Sequence, residues 1–172
     1  MPYVSLEYMK LSQGFAPVSR PDAQILILGS IPGVASLEAA QYYAFPRNAF
    51  WKIMDELFAA SPELDYTSRL QILKNNHIAL WDVIGTCHRP GSLDSAISND
   101  GMVTNDFNHF FKQHVHITHV YFNGQKAGDL FKKRVAPDLG DKYKYQTLPS
   151  TSPANAAKHF TEKLAAWSVI RT

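Results

Sequence analysis

The chain has 172 residues, 45% hydrophobic and 19% charged, a length that suits one globular domain at roughly 100–200 residues each. Lys and Arg number 17 against 15 Asp and Glu, a formal charge of +2, so composition alone makes no claim on nucleic acid. The single cysteine, Cys87, excludes an internal disulfide and any Cys-rich zinc or iron–sulfur site. No apolar stretch reaches the roughly 18–20 residues of a membrane span, and MPYVSLEYMKLSQGF lacks the order of a signal peptide. The expectation is one soluble, cytoplasmic domain over residues 1–172, with no membrane partner, no metal and no cofactor.

Taken in chain order, Pro17 to Pro21 reads as a lead-in. Ile25 to Leu28 is a continuous aliphatic run closed by Gly29, the pattern of a strand buried on both faces. From Asn48 onward, Phe50, Ile53, Met54, Leu57 and Phe58 follow helical spacing, which predicts an amphipathic helix of about three turns. A weaker helix covers Tyr66 to Asn75. HIALWDVI (77–84) is the second strand, Phe107 to His114 a short helix, and Val120 to Phe122, reached through Ile117, the third strand. Gln125 to Val135 is helical, Tyr143 to Leu148 the fourth strand, and Ala154 to Ile170 a closing helix. Strands alternating with helices predict an α/β fold of three layers, with a central, mostly parallel four-stranded sheet flanked by helices.

In such a sheet ligands bind beyond the carboxyl ends of the strands. There the sequence places GSIPG (29–33), WDV (81–83), FNGQK (122–126) and LPSTSPAN (148–155). GSIPG is neither a dinucleotide fingerprint nor a phosphate loop; it serves equally as a tight turn or as a backbone cradle. QYYAFPRNAFW (41–51) sets aromatics around Arg and Asn, a composition able to stack on and hydrogen-bond an unstacked base. Asn48 also stands where an N-cap belongs, and Phe50 and Trp51 suit core packing. Asp82 interrupts an apolar strand, which favours a functional acceptor over a solvated charge. Asn123, Gly124 and Gln125 open a helix whose N–H groups suit a phosphate or an ordinary cap. Ser150, Thr151 and Ser152, followed by Pro153, read as a helix start with hydroxyls free for phosphate. Among the histidines, 114, 116 and 119 read as a solvated edge, and none has metal-ligand spacing. Lys132, Lys133 and Arg134 read as a solvated helix face.

Together these segments resemble the uracil-DNA glycosylase superfamily over about residues 14–156. GSIPG after ILIL is similar to its first motif, and LPSTSPAN occupies the place of its second. FNGQKAG resembles the superfamily's third-strand loop, and the combination of GSIPG, YYAFPRNAFW, LWDVIGTCHRPGSLDSAI and LPSTSPAN is most similar to the hypoxanthine-DNA glycosylase branch, which is related to the mismatch-specific uracil glycosylases. The resemblance implies a monofunctional DNA glycosylase acting on a deaminated base, hypoxanthine above uracil, flipped from duplex DNA. A mismatch-specific uracil glycosylase and an inactive damaged-DNA-binding module are its alternatives. It implies a catalytic Asn48, which aligns the attacking water. Base contacts fall to Ser30, Ile31, Tyr43 and Asp82, and DNA contacts to Gly33, Asn123, Gly124, Gln125, Ser150, Thr151 and Ser152. Two departures stand out. Ile31 lies where many relatives carry a water-activating Asn or Asp, and Leu148 replaces the motif-two histidine of some relatives. No lysine suggests a Schiff base, and a monomer is the default.

Overall fold

The computed structural model describes residues 11–171; the segment 1–10, where no leader pattern was read, lies outside them. Strands β2 (Ile25–Gly29), β3 (Ile78–Asp82), β6 (His119–Asn123) and β7 (Lys144–Leu148) form a parallel sheet in the order β3-β2-β6-β7. Alternation along each strand sends successive side chains to opposite faces, and this divides the core in two. Leu26, Leu28, Trp81, Val120 and Phe122 pack with Phe107, Phe110 and Phe111 of α4 (Phe107–Gln113) and with Leu130 and Phe131 of α5 (Gln125–Arg134). Ile27, Ile78, Leu80 and Tyr121 face the other way. They meet α2 (Phe50–Phe58), Leu73 of α3 (Tyr66–Asn75) and Trp167 of α6 (Phe160–Trp167). The result is the expected three-layer arrangement.

The expected second strand, 77–84, breaks at Val83. Beyond it the chain leaves the parallel sheet and forms β4 (Ile84–His88), the centre of a small antiparallel sheet with β1 (Leu11–Gln13) and β5 (Val103–Thr104). Two bonds fix the junction: Val83 N–H donates to the Gly29 carbonyl and Ile84 N–H to that of Ser30. Within the lead-in, Val18 forms an antiparallel bridge to Leu80, covering part of the β3 edge, where unpaired backbone groups would otherwise lie open. A short α1 (Val34–Ala39) follows the first strand-end loop.

Two further expectations are corrected. The closing helix begins at Phe160, and 149–159 is irregular; the Ser150 and Ser152 hydroxyls accept the N–H groups of Ser152 and Ala154, which bends the chain into side-chain turns instead of starting a helix. His114 is no solvated residue. It is 6% exposed, stacks on Phe110 at 4.0 Å, and its ring nitrogens meet the Phe110 carbonyl and the Ser19 hydroxyl. Its neighbour His116 is exposed, as are Lys132, Lys133 and Arg134 at the end of α5, where cations complement the helix dipole.

Candidate active site

Strand register brings the four carboxyl ends to one level. Gly29 lies opposite Asp82, Leu28 opposite Phe122, and Asn123 opposite Leu148. Beyond that row opens a cleft of about 1350 Å³, more than the roughly 300–1,000 Å³ of small-ligand pockets. Ser30, Ile31, Gly33, Tyr43, Asn48, Asp82, Asn123, Gln125, Ser150, Thr151 and Ser152 all line it. Gly124 does not: it caps α5 at φ 97°, a left-handed conformation that favours glycine, and packs against Ser150.

Asp82 is the cleft's most unusual group. It is 3% exposed, and its Oδ2 has no hydrogen-bond partner. Burial pushes its carboxyl up to about 7; Arg89 opposes that shift, and Asp94 adds to it. The glycine opposite is required by space, because a Cβ on Gly29 would stand 2.6 Å from Asp82 Oδ1 and 3.2 Å from the Tyr43 hydroxyl. The Tyr43 hydroxyl is likewise buried and lacks a hydrogen bond. Its pKa is raised, by burial first and by Asp82 second. Two buried polar groups without a protein partner thus stand beside one glycine, an arrangement that costs stability.

Tyr43 sits in a turn with φ 57°, a backbone region costing roughly 1–2 kcal/mol for a residue with a Cβ. The surrounding chain enforces it. Trp51 Nε1 donates to the Tyr42 carbonyl, Tyr42 N–H to the Tyr66 hydroxyl, and Ala44 N–H to Ser36 Oγ. The ring of Tyr43 stacks on Phe50 with centroids 4.0 Å apart, so a base can stack only on the opposite face. Phe50 and Trp51 are 0% and 4% exposed and belong to the core.

Asn48 is half-buried, and its Oδ1 accepts the Phe50 N–H at 2.9 Å. This bond serves the start of α2 as a cap would, and it also fixes the amide's orientation; the second lone pair of Oδ1 remains for another donor. The adjacent Ala49 N–H donates to the Thr151 carbonyl, which joins the Asn48 turn to the β7 loop.

Ile31 lines the cleft while its side chain, 6% exposed, packs in the core, which agrees with a contact through its backbone N–H. Two expected contacts are placed differently. Thr151, 1% exposed, and Asn123, 9% exposed, spend their polar groups on each other: Asn123 Nδ2 donates to the Thr151 hydroxyl, and Thr151 N–H donates to Asn123 Oδ1, each at 2.9 Å. They pin two loops together and do not offer free groups to a phosphate. Ser150 Oγ accepts from Ser152 N–H and Ser152 Oγ from Ala154 N–H; each hydroxyl retains its own proton to donate. The loop HRPGSLD (88–94), given no role by its composition, reaches across to the first motif: Ser30 Oγ donates to Asp94 Oδ1 at 2.6 Å. The only local signal was an Arg beside a Pro-Gly turn.

A parallel sheet covered on both faces, with four strand-end loops enclosing one cleft, defines a three-layer α/β protein with a strand-end ligand site. The family model of the uracil DNA glycosylase superfamily matches residues 16–171, and the chain belongs to that superfamily. It is similar to two proteins named hypoxanthine DNA glycosylase. One, from Methanosarcina barkeri, is 35% identical over 83% of this chain and 87% of its own. The other, from Methanosarcina acetivorans, is 36% identical over 84% and 89%. A solution NMR structure of a Methanosarcina acetivorans protein, provisionally named a uracil DNA glycosylase, superposes with a TM-score of 0.76 at 32% identity. The match covers 95% of this chain and all of that one. Among the described residues no helix is long and apolar enough to cross a membrane.

Proposed function

We propose that this protein is a monofunctional DNA glycosylase that hydrolyses the bond between deoxyribose and a deaminated base, hypoxanthine in preference to uracil, and leaves an abasic site. The observation that carries this reading is the convergence of Tyr43, Asn48 and Asp82 on one strand-end cleft, in a chain whose relatives are named for hypoxanthine. The base enters flipped from the duplex, since its glycosidic bond is out of reach within the stack. It stacks on the free face of Tyr43. As the bond breaks, positive charge develops on the sugar and negative charge on the base, so the protein must place dipoles for both.

Asp82 meets the base. An ionised carboxylate there would repel a departing anion, whereas the protonated form that burial favours donates a hydrogen bond to it. Asn48 Oδ1 orients the attacking water through its remaining lone pair, a positioning role that needs no charged base. Ile31 supplies no such group, so the alignment falls to Asn48. Water provides the hydroxyl for the sugar, and the base leaves with a proton. Backbone around Gly33, the open N-terminus of α5 at Gln125, and the Ser150 and Ser152 hydroxyls are assigned to the flanking phosphates. The protein acts as a monomer without a cofactor.

The decisive assay is alkaline cleavage of oligonucleotide duplexes after incubation with the protein, using deoxyinosine and G·U sites side by side. Strand scission at deoxyinosine is expected to exceed that at uracil; a reversed order makes the protein a mismatch-specific uracil glycosylase. Binding without any scission makes it an inactive damage-binding module. Asn48→Ser and Asn48→Ala separate catalysis from capping. Both are expected to lose excision by about a hundredfold or more, while alanine alone loses about 1 kcal/mol of stability. Wild-type excision by Asn48→Ser sinks the assignment.

A further inference from the structure

Tyr43 carries its ring into the cleft on a backbone that does not hold itself. Ala40 at φ 52° and Tyr43 at φ 57° are both left-handed, a region that residues with a Cβ keep only where their surroundings over-determine it. Between them Tyr42 is gripped at both of its backbone polar groups, each by a different ring. Its N–H donates to the Tyr66 hydroxyl at 3.0 Å, and its carbonyl, in the peptide that leads into Tyr43, accepts from Trp51 Nε1 at 2.9 Å. The two rings form one unit. They meet edge to face with centroids 6.1 Å apart, and a single guanidinium covers both: Arg69 Cζ lies 4.6 Å from the Trp51 centroid and 5.5 Å from that of Tyr66. A flat, delocalised cation suits this double contact, and Arg69 Nε, donating to the Leu64 carbonyl at 3.2 Å, fixes its plane.

Tyr66 and Arg69 stand one turn apart at the start of α3, which Asp65 caps by accepting the Ser68 N–H at 2.7 Å. Neither lines the cleft. Their reach into it runs through neighbours in sequence: Trp51 holds the Tyr42 carbonyl, while Phe50, beside it, backs the Tyr43 ring at 4.0 Å. We propose, resting on the glycosylase reading above, that Tyr66 and Arg69 are positioning residues: they set the angle at which Tyr43 presents its free face, and they act on excision only through that ring. A base stacks well only on a ring already held in the productive plane. Losing the Tyr66 hydroxyl strands the Tyr42 N–H and lets the strained turn relax, which carries the Tyr43 ring off Phe50.

Two measurements on the full chain test this. The first compares single-turnover release of hypoxanthine from a deoxyinosine duplex by wild type, Tyr66→Phe, Tyr43→Ala and the double variant. Tyr66→Phe, which keeps its ring under Arg69, is expected to slow release about tenfold. The double variant should match Tyr43→Ala to within about twofold, because no ring is left to position. Arg69→Met keeps the length, loses the plane and is expected to slow release about threefold, again only while Tyr43 is present. The second measurement is the nuclear Overhauser effect between the Tyr43 and Phe50 rings in the free protein. It should weaken in Tyr66→Phe while that between Phe50 and Trp167, whose rings meet at 6.0 Å within the core, stays unchanged; a merely structural Tyr66 would leave both alone or weaken both. Release by Tyr66→Phe within about twofold of wild type, losses that multiply in the double variant, or an unchanged Tyr43–Phe50 effect each overturns the assignment. If wild type releases no base from deoxyinosine or G·U duplexes, the glycosylase reading fails on that ground, and the ring-to-ring comparison still decides whether Tyr66 positions Tyr43.

Discussion

Asp82 gives the sharpest quantitative expectation. Replacing it with Asn keeps the size and removes the titration. In the native protein burial lifts the carboxyl from 3.8 to about 7, and each tenfold change in acidity corresponds to about 1.36 kcal/mol. The native state therefore carries an ionisation penalty of about 4 kcal/mol once the group is charged, as an order of magnitude. Below about pH 4 the group is protonated in both states and adds no pH dependence. Between about 4 and 7 the native state holds the proton more tightly than the unfolded chain, so stability falls as pH rises. Above about 7 the full penalty is present.

Asp82→Asn has no such proton to lose. Its stability relative to wild type should rise across that window by as much as about 4 kcal/mol and then level off. Urea denaturation followed by tryptophan fluorescence at half-unit steps from pH 4.5 to 8.5 measures the difference directly. A constant offset between the two proteins shows the solvation of the variant, and only the slope carries the argument. Parallel profiles would refute it, because they would mean that Asp82 ionises in the native state as easily as in water.

The same titration should reach the chemistry: wild-type excision is expected to decline as pH rises through about 7, and that limb should vanish from single-turnover profiles of Asp82→Asn. Tyr43→Ala should lose about 1–3 kcal/mol of base stacking, read as about fivefold to 150-fold slower excision. By contrast Tyr43→Phe keeps the ring and should match or exceed wild type in thermal stability, since it deletes an unpaired hydroxyl. Asn123→Ala strands the Thr151 hydroxyl and N–H, which differential scanning calorimetry should register as a loss of about 1–3 kcal/mol per unsatisfied group. Gly29→Ala drives a methyl to 2.6 Å from Asp82 Oδ1; binding of a deoxyinosine duplex, followed by fluorescence anisotropy, should weaken even where the protein still folds.

The parallel sheet was legible because its strands are buried on both faces and read as unbroken aliphatic runs. Helix α2 was legible because its apolar residues keep one face. The small antiparallel sheet was not: β1 has three residues and β5 two, too short for alternation to register, and both exist only through pairing with β4. The break at Val83 was hidden because Asp82-Val83-Ile84 keeps the strand's apolar character while the partner strand changes. The closing helix was extended too far because Ser-Pro, an ordinary helix start, instead forms side-chain turns held by Trp167 Nε1 on the Pro149 carbonyl. In the site, Tyr43, Asn48 and Asp82 were each conspicuous in their own segment. Arg89, Ser92 and Asp94 were not, because their significance lies in bonds to residues 57, 58 and 64 positions away.

Those long-range bonds explain how so little charge organises the cleft. A buried carboxyl destabilises the fold above neutrality, and two hydroxyl or carboxyl oxygens beside Gly29 lack partners. A flexible loop would relax both by turning outward. Here Arg89 and Ser30 hold the loop after β4 against the loop after β2, while the Asn123–Thr151 pair and the Ala49 N–H hold the other side. The unsatisfied groups are kept facing inward by satisfied ones around them. Burial that raises the pKa of Asp82 costs stability, and in the mechanism proposed above it also makes the side chain a donor toward a departing anion. In that mechanism one local environment produces both the stability slope and the chemistry, and a site of this kind needs only preorganised dipoles where the net charge is +2.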